Sequence, residues 1–298
     1  MQNRANLLTE QRLPDSIELD RMSIAEAIAL MNAQDAVAVR AVAAVQSDVV
    51  HAVELVVTAL SHEGRLFYVG AGSSGRLGVL DASECPPTFR TDPEKIQGII
   101  AGGERAMFRS QEGAEDSADD GASALAEKEL TDRDVVIGLA AGGTTPFVHG
   151  ALRMAAARGA RTIFLTCVDQ IENEPTVDVV IRPLVGPEVL TGSTRLKAGT
   201  ATKLVLNQIS TIAMVRLGKC YENLMVDLRA TNEKLWDRGA RIVATLTGIE
   251  RTAALELLKR ADGRVKTATI MQRRSVDVVE ANRLLEQASG QLRAALER

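Results

Sequence analysis

Arg65-Leu-Phe-Tyr-Val69, followed at once by Gly70-Ala-Gly72-Ser73-Ser74-Gly75-Arg76 and the stretch LGVLDA, decides the fold of this 298-residue chain. A run of β-branched and aromatic residues, a glycine-rich turn and a helical segment read together as strand, tight turn and helix. Four more short runs have the same strand character: Gln97–Ala101, Asp134–Leu139, Arg161–Thr166 and Val177–Ile181. Helix-length segments such as Thr145–Arg158 lie between most of them, an alternation that implies a parallel sheet wrapped by helices. The expectation is an α/β fold.

Working outward, Ser23-Ile-Ala-Glu26 has capping-box spacing and opens two N-terminal helices. The most apolar long stretch, Ala36–Leu60, carries Arg40, Asp48, His51 and Glu54, charges too costly for a bilayer, and is read as a buried helix. A long helix is expected over Arg195–Gly218. Beyond Asn232 the strand signal ends and five short helical segments follow, predicting a separate helical lobe. The resulting division is residues 1–60 as N-terminal helices on the core, 61–230 as the α/β domain and 231–298 as the lobe.

A chain with 46% hydrophobic and 25% charged residues can bury a substantial core. Its net charge of −4 and only 3% aromatic residues argue against nucleic-acid binding, leaving small-molecule chemistry. Three scattered cysteines without a CxxC pair, and an N-terminus without an apolar leader, suggest a reducing, cytoplasmic setting and no membrane partner. The three histidines have no metal-ligand spacing, so no metal is expected.

Gly70, Gly72 and Gly75 form a literal G-x-G-x-x-G, which invites a dinucleotide reading. The acidic residue that motif needs at the end of the second strand is missing, however, since that strand runs into Ala101-Gly-Gly103. What the turn does offer is Ser73 and Ser74 beside the unpaired N–H groups of a helix N-terminus, a combination suited to a phosphate monoester. A second such turn is Ala140-Ala-Gly142-Gly143-Thr144-Thr145-Pro146. A third, Thr191-Gly192-Ser193-Thr194-Arg195-Leu-Lys197, adds two cations. Each turn is also ordinary loop chemistry. Three of them at strand-to-helix junctions could converge on one sugar phosphate, because the carboxyl ends of the strands in such a sheet share one edge.

Two carboxylates stand out. Glu84 lies in Asp81-Ala-Ser-Glu84-Cys85-Pro86-Pro87, where the prolines are expected to end the helix and extend the backbone at Cys85. Glu115 lies in Glu112-Gly-Ala-Glu115-Asp116-Ser, which taken alone looks like a solvated helix face. Taken alone, each reads better as a surface carboxylate than as a catalytic group. Cys85 reads as a small buried hydrophobe, and His149 either touches a ligand or caps a packed face.

The segments LFYVGAGSSGRLGVLDASECPPTF, AGGERAMFRSQEGAEDS, RPLVGPEVLTGSTRLKAGTATKLVLNQIST and NLMVDLRATNEKL resemble those of the N-acetylmuramic acid 6-phosphate etherases, a branch of the SIS-domain proteins, across nearly the whole chain. The resemblance implies a doubly wound, flavodoxin-like three-layer SIS domain with a C-terminal helical lobe. It also implies a cytoplasmic homodimer that needs no cofactor and releases D-lactate from a sugar phosphate during cell-wall recycling. Glu84 and Glu115 match the family's two essential carboxylates. Gly72, Ser73, Ser74, Gly75, Gly143, Thr144, Thr145, Ser193, Thr194 and Lys197 are the expected substrate contacts. The second turn departs from the family's usual Ala-Ser-Gly-Arg-Thr-Pro, with Gly142 in place of the serine and Thr144 in place of the arginine. Arg76, Arg195 or Lys197 then remain as sources of positive charge. The alternatives are a non-catalytic sugar-phosphate sensor related to a glucokinase regulator and an amino-sugar-phosphate isomerase.

Overall fold

The structure, a computed structural model, describes residues 7–228, 230 and 232–297. Arg229 and Thr231 of the NLMVDLRATNEKL segment lie outside them. The chain falls into two compact units, one of residues 1–83 and 93–210, the other of residues 84–92 and 211–298.

In the first unit, Ser23 starts α1 (Ile24–Ala44), and the expected capping box forms. The Glu26 N–H donates to Ser23 Oγ and the Glu26 carboxylate accepts from the Ser23 N–H. The helix breaks at Val45 and resumes as α2 (Gln46–Ser61). The apolar stretch is therefore two helices rather than one buried helix. Only Ala38 and Val42 of α1 are buried, whereas five residues of α2 are. By length and composition α1 is apolar enough to cross a membrane.

The sheet comprises β1 (Leu66–Gly70), β2 (Ile96–Ile100), β3 (Val135–Leu139), β4 (Arg161–Leu165) and β5 (Val179–Ile181). All are parallel, in the order β2-β1-β3-β4-β5. Between them run α3 (Gly72–Phe89), α4 (Arg105–Phe108), α5 (Ala118–Ala126) and α6 (Pro146–Ala157), and α7 (Lys197–Arg216) follows β5. Strands β1 and β3 are buried at every residue, which is why they read as continuous apolar runs without alternation. Phe67, Val69, Val136 and Phe164 cover one sheet face and pack against Leu125 of α5 and Val148, Ala151 and Leu152 of α6. Arg65 and the buried Asp134 lock the entry ends of β1 and β3 through an ion pair of 2.8 Å and the Arg65 backbone N–H.

Helix α3 corrects the sequence expectation. It continues through Pro86 and Pro87 to Phe89, and Cys85 is helical and buried instead of extended. The prolines leave the carbonyls of Ala82 and Ser83 without their i+4 donors. The turn still closes through the Arg90 N–H on the Pro86 carbonyl at 2.9 Å, with Cys85 and Phe89 both buried.

The second unit pairs two short strands, β6 (Cys220–Tyr221) and β7 (Leu224–Met225), antiparallel. It then forms α8 (Glu233–Thr247), α9 (Arg251–Arg260), α10 (Val265–Arg274), α11 (Val278–Gln287) and α12 (Leu292–Glu297). Val243, Leu258, Val265, Ile270 and Leu292 are at the centre of its own core. The helical lobe is as the sequence implies, and the hairpin ahead of it was too short to carry a period.

Candidate functional site

In a 2-1-3-4-5 sheet the strand order reverses between β1 and β3, and the crevice at their carboxyl ends is where such folds bind ligands. A cavity of about 200 Å³ opens there. It brings together the three hydroxyl-rich turns: Gly72, Ser73 and Ser74 from the first, Gly142, Thr144 and Thr145 from the second, Gly192 and Thr194 from the third. Glu115 lines it as well.

Each turn is held by the fold rather than by the hydroxyls. Gly72 has φ +52°, a left-handed conformation that lets the chain leave β1 and enter α3 in one residue. A Cβ at Gly75 would collide with the Gly70 carbonyl and the Ile100 side chain, so Gly75 fixes the close approach of α3 to β1 and β2 and does not line the cavity. The first N–H groups of α3 lack acceptors within the helix and surround Ser73 and Ser74. In the second turn Thr145 occupies the N-cap of α6 without using its hydroxyl as a cap, and Pro146 takes the first helical position. The Gly143 carbonyl, at φ +76°, is 2.6 Å from His149 Nε2, and the imidazole packs edge-on against Phe164. Since a carbonyl only accepts, Nε2 carries the proton. Burial holds the His149 pKa below its ordinary value, so the ring is a neutral prop for the turn.

The third turn is arranged differently from the expectation. Lys197 is buried and donates from Nζ to Gln34 Oε1 at 2.6 Å instead of lining the cavity. The N–H groups of Lys197 and Ala198, each 3.0 Å away, donate to the buried Glu188 carboxylate, so α7 is already capped by an internal anion. Burial raises the Glu188 pKa and lowers that of Lys197. Ser193 does not line the cavity either, and Thr194 carries the turn's hydroxyl there. Among the described residues no Lys or Arg lines this cavity.

Glu115 lies in a turn, not on the helix face expected of its segment. Ser117 caps α5 directly after it, accepting from the Asp120 N–H at 3.1 Å. The Phe147 N–H of α6 donates to the Glu115 carbonyl at 3.0 Å, which docks this turn beside Thr144 and Thr145. A second cavity, about 230 Å³, shares Ala71, Gly72 and Glu115 with the first and is further lined by Arg76, Ser110 and Glu112. Glu84 is exposed on α3, eleven residues beyond Ser73 in the chain, and belongs to the second unit. It lines neither cavity.

Two residues the sequence reading missed belong to the first cavity, Leu7 and Glu10. Leu7 precedes and Glu10 ends a 3₁₀ turn, Leu8–Glu10, held by the Gly192 N–H on the Thr9 carbonyl at 3.2 Å. Nothing local in LLTEQ announces a site, because its partner Gly192 is 183 residues beyond Thr9 in the chain. Among the described residues no His, Cys, Asp and Glu cluster has metal-binding geometry.

Residues 48–156 match the model of the glucokinase regulatory protein N-terminal SIS domain, and residues 222–276 match the C-terminal lid domain of glucokinase regulatory protein. With the parallel sheet and hydroxyl-lined switch point, this defines a SIS-domain protein with a helical C-terminal portion. Curated relatives from Synechococcus elongatus, Gloeothece citriformis and Microcystis aeruginosa are 55%, 53% and 52% identical over 99% of this chain and 96–97% of their own. All three carry the name N-acetylmuramic acid 6-phosphate etherase, and the chain belongs to that family.

Proposed function

We propose that this protein cleaves the D-lactyl ether of N-acetylmuramic acid 6-phosphate, with water, to N-acetylglucosamine 6-phosphate and D-lactate, acting as a carbon–oxygen lyase in cytoplasmic cell-wall recycling. The observation that carries the proposal is one cavity at the β1/β3 switch point lined by a carboxylate and three hydroxyl-bearing turns.

The phosphate sits on Gly72, Ser73, Ser74, Thr144, Thr145 and Thr194, which offer hydroxyls and, at α3, main-chain N–H groups. Opening the sugar ring exposes a C1 aldehyde that acidifies the C2 proton. Glu115 takes that proton, and Glu84 protonates the C3 ether oxygen, which departs as the hydroxyl of D-lactate. Water then adds at C3 of the enal, with proton transfers through the same carboxylates.

Glu84 reaches the reaction from a second copy. Support for a homodimer comes from α1, where Ile24, Ile28, Met31 and Val39 are 81%, 53%, 39% and 56% exposed on one face. Monomeric proteins rarely leave so continuous an apolar stripe in water. Exposed Asp35 lies within the stripe, which suits a protein partner better than lipid.

Incubation with N-acetylmuramic acid 6-phosphate, with no metal or nucleotide added, tests the proposal by following D-lactate with a coupled dehydrogenase. Lactate and N-acetylglucosamine 6-phosphate in equal amounts are expected. Saturable binding without lactate would instead identify a sugar-phosphate sensor.

A further inference from the structure

Among the described residues Arg76 is the one cation lining the second cavity, where it stands with Glu115 and Glu112. Its Nε donates to the Met107 carbonyl at 3.2 Å, which anchors the guanidinium and leaves its two terminal nitrogens without a protein partner among the described residues. Glu112 is engaged by Ser110 Oγ at 2.7 Å, and no acidic side chain pairs with Arg76 among the described residues. An unpaired, half-buried guanidinium beside a small polar cavity calls for an anion, and a planar carboxylate matches its fork of donors.

The reaction proposed above supplies one. Its substrate has two anionic ends, the phosphate and the lactyl carboxylate. The first cavity meets the phosphate with hydroxyls and N–H groups and, among the described residues, no cation. The second cavity joins it at Ala71, Gly72 and Glu115. A molecule with its phosphate on the turns and its reacting carbons at Glu115 therefore extends the lactyl arm towards Arg76. Two carboxylates line the same space, so a third would be repelled there without the guanidinium. We propose that Arg76 binds the D-lactyl carboxylate and selects the ether substrate over sugar phosphates that lack it. This rests on the etherase assignment.

The test compares wild type and Arg76→Gln on two ligands that differ in the lactyl arm. KM for N-acetylmuramic acid 6-phosphate should rise at least about tenfold, as expected for loss of a charge-assisted contact. The inhibition constant of N-acetylglucosamine 6-phosphate, which has the phosphate and no carboxylate, should change less than about twofold. An unchanged KM, or a parallel weakening of both ligands, overturns the proposal. A substrate analogue with the carboxylate converted to its amide gives the same reading without a protein variant: wild type should bind it at least about tenfold more weakly, and equal binding of acid and amide overturns the proposal. If the wild type releases no lactate at all, it is the etherase assignment that fails.

Discussion

Ser73 and Ser74 differ from ordinary loop serines in where the chain puts them, in the first turn of a helix that starts at the switch point. Replacing both with alanine removes two donors from the phosphate without touching Glu115. KM should rise about tenfold or more while kcat stays within about threefold, measured by initial rates of lactate release. His149 gives a second residue-scale expectation. Its folded pKa lies below the ordinary 6.5, so the unfolded chain takes up the proton first. Its contribution is complete above about pH 6.5 and is lost as pH falls from there through the folded value. Thermal melts should show the wild type losing stability between pH 7 and 5. His149→Gln, which can still donate to the Gly143 carbonyl but does not titrate, should lose less. At this scale the sequence was most informative where a residue's role is local. The hydroxyls next to glycines at strand ends pointed to the turns that line one cavity, and Glu115 gained its weight over the surface-carboxylate reading from the family motif. Lys197 was misleading because a cation after a Gly-Ser-Thr turn looks free, and only the distant Gln34 and Glu188 show otherwise.

Among the elements, the strands were readable because burial on both faces demands unbroken apolar runs, and the capping box of α1 because its two partners are three residues apart. Helix α3 was misread at Pro86 for the opposite reason. Proline is disfavoured in a helix interior by local geometry, and the packing of Cys85 and Phe89 that accompanies it there is not local. The pairing of α5 with α6 was equally invisible. A Cβ at Gly121 would collide with the Phe147 carbonyl, and one at Gly150 with the Ala118 carbonyl. These two glycines let the helices touch backbone to backbone and so place the Glu115 turn at the start of α6. Gly121→Ala should cost about 1–3 kcal/mol in urea denaturation, the usual range for overpacking. It should also depress kcat, because the turn that holds Glu115 is pushed away from Thr144 and Thr145. Unchanged kinetics in a destabilised variant would separate the helix contact from the site.

For the whole molecule, the arrangement of the two glutamates is the decisive feature. Glu115 lines the cavity of its own chain, whereas Glu84 is exposed on α3 and lines neither cavity. The apolar stripe of α1 offers the surface on which a second copy would bring its own Glu84 into reach. Glu84→Gln and Glu115→Gln should each lower kcat by at least about a hundredfold, as loss of a general acid or base does. The most direct measurement mixes the two inactive variants in equal amounts, allows subunits to exchange, and assays lactate release. Half the dimers are then mixed, and each has one site with both glutamates intact, so about a quarter of wild-type activity should return. No recovery, with mixed dimers verified by native mass spectrometry, would contradict a site completed across the dimer.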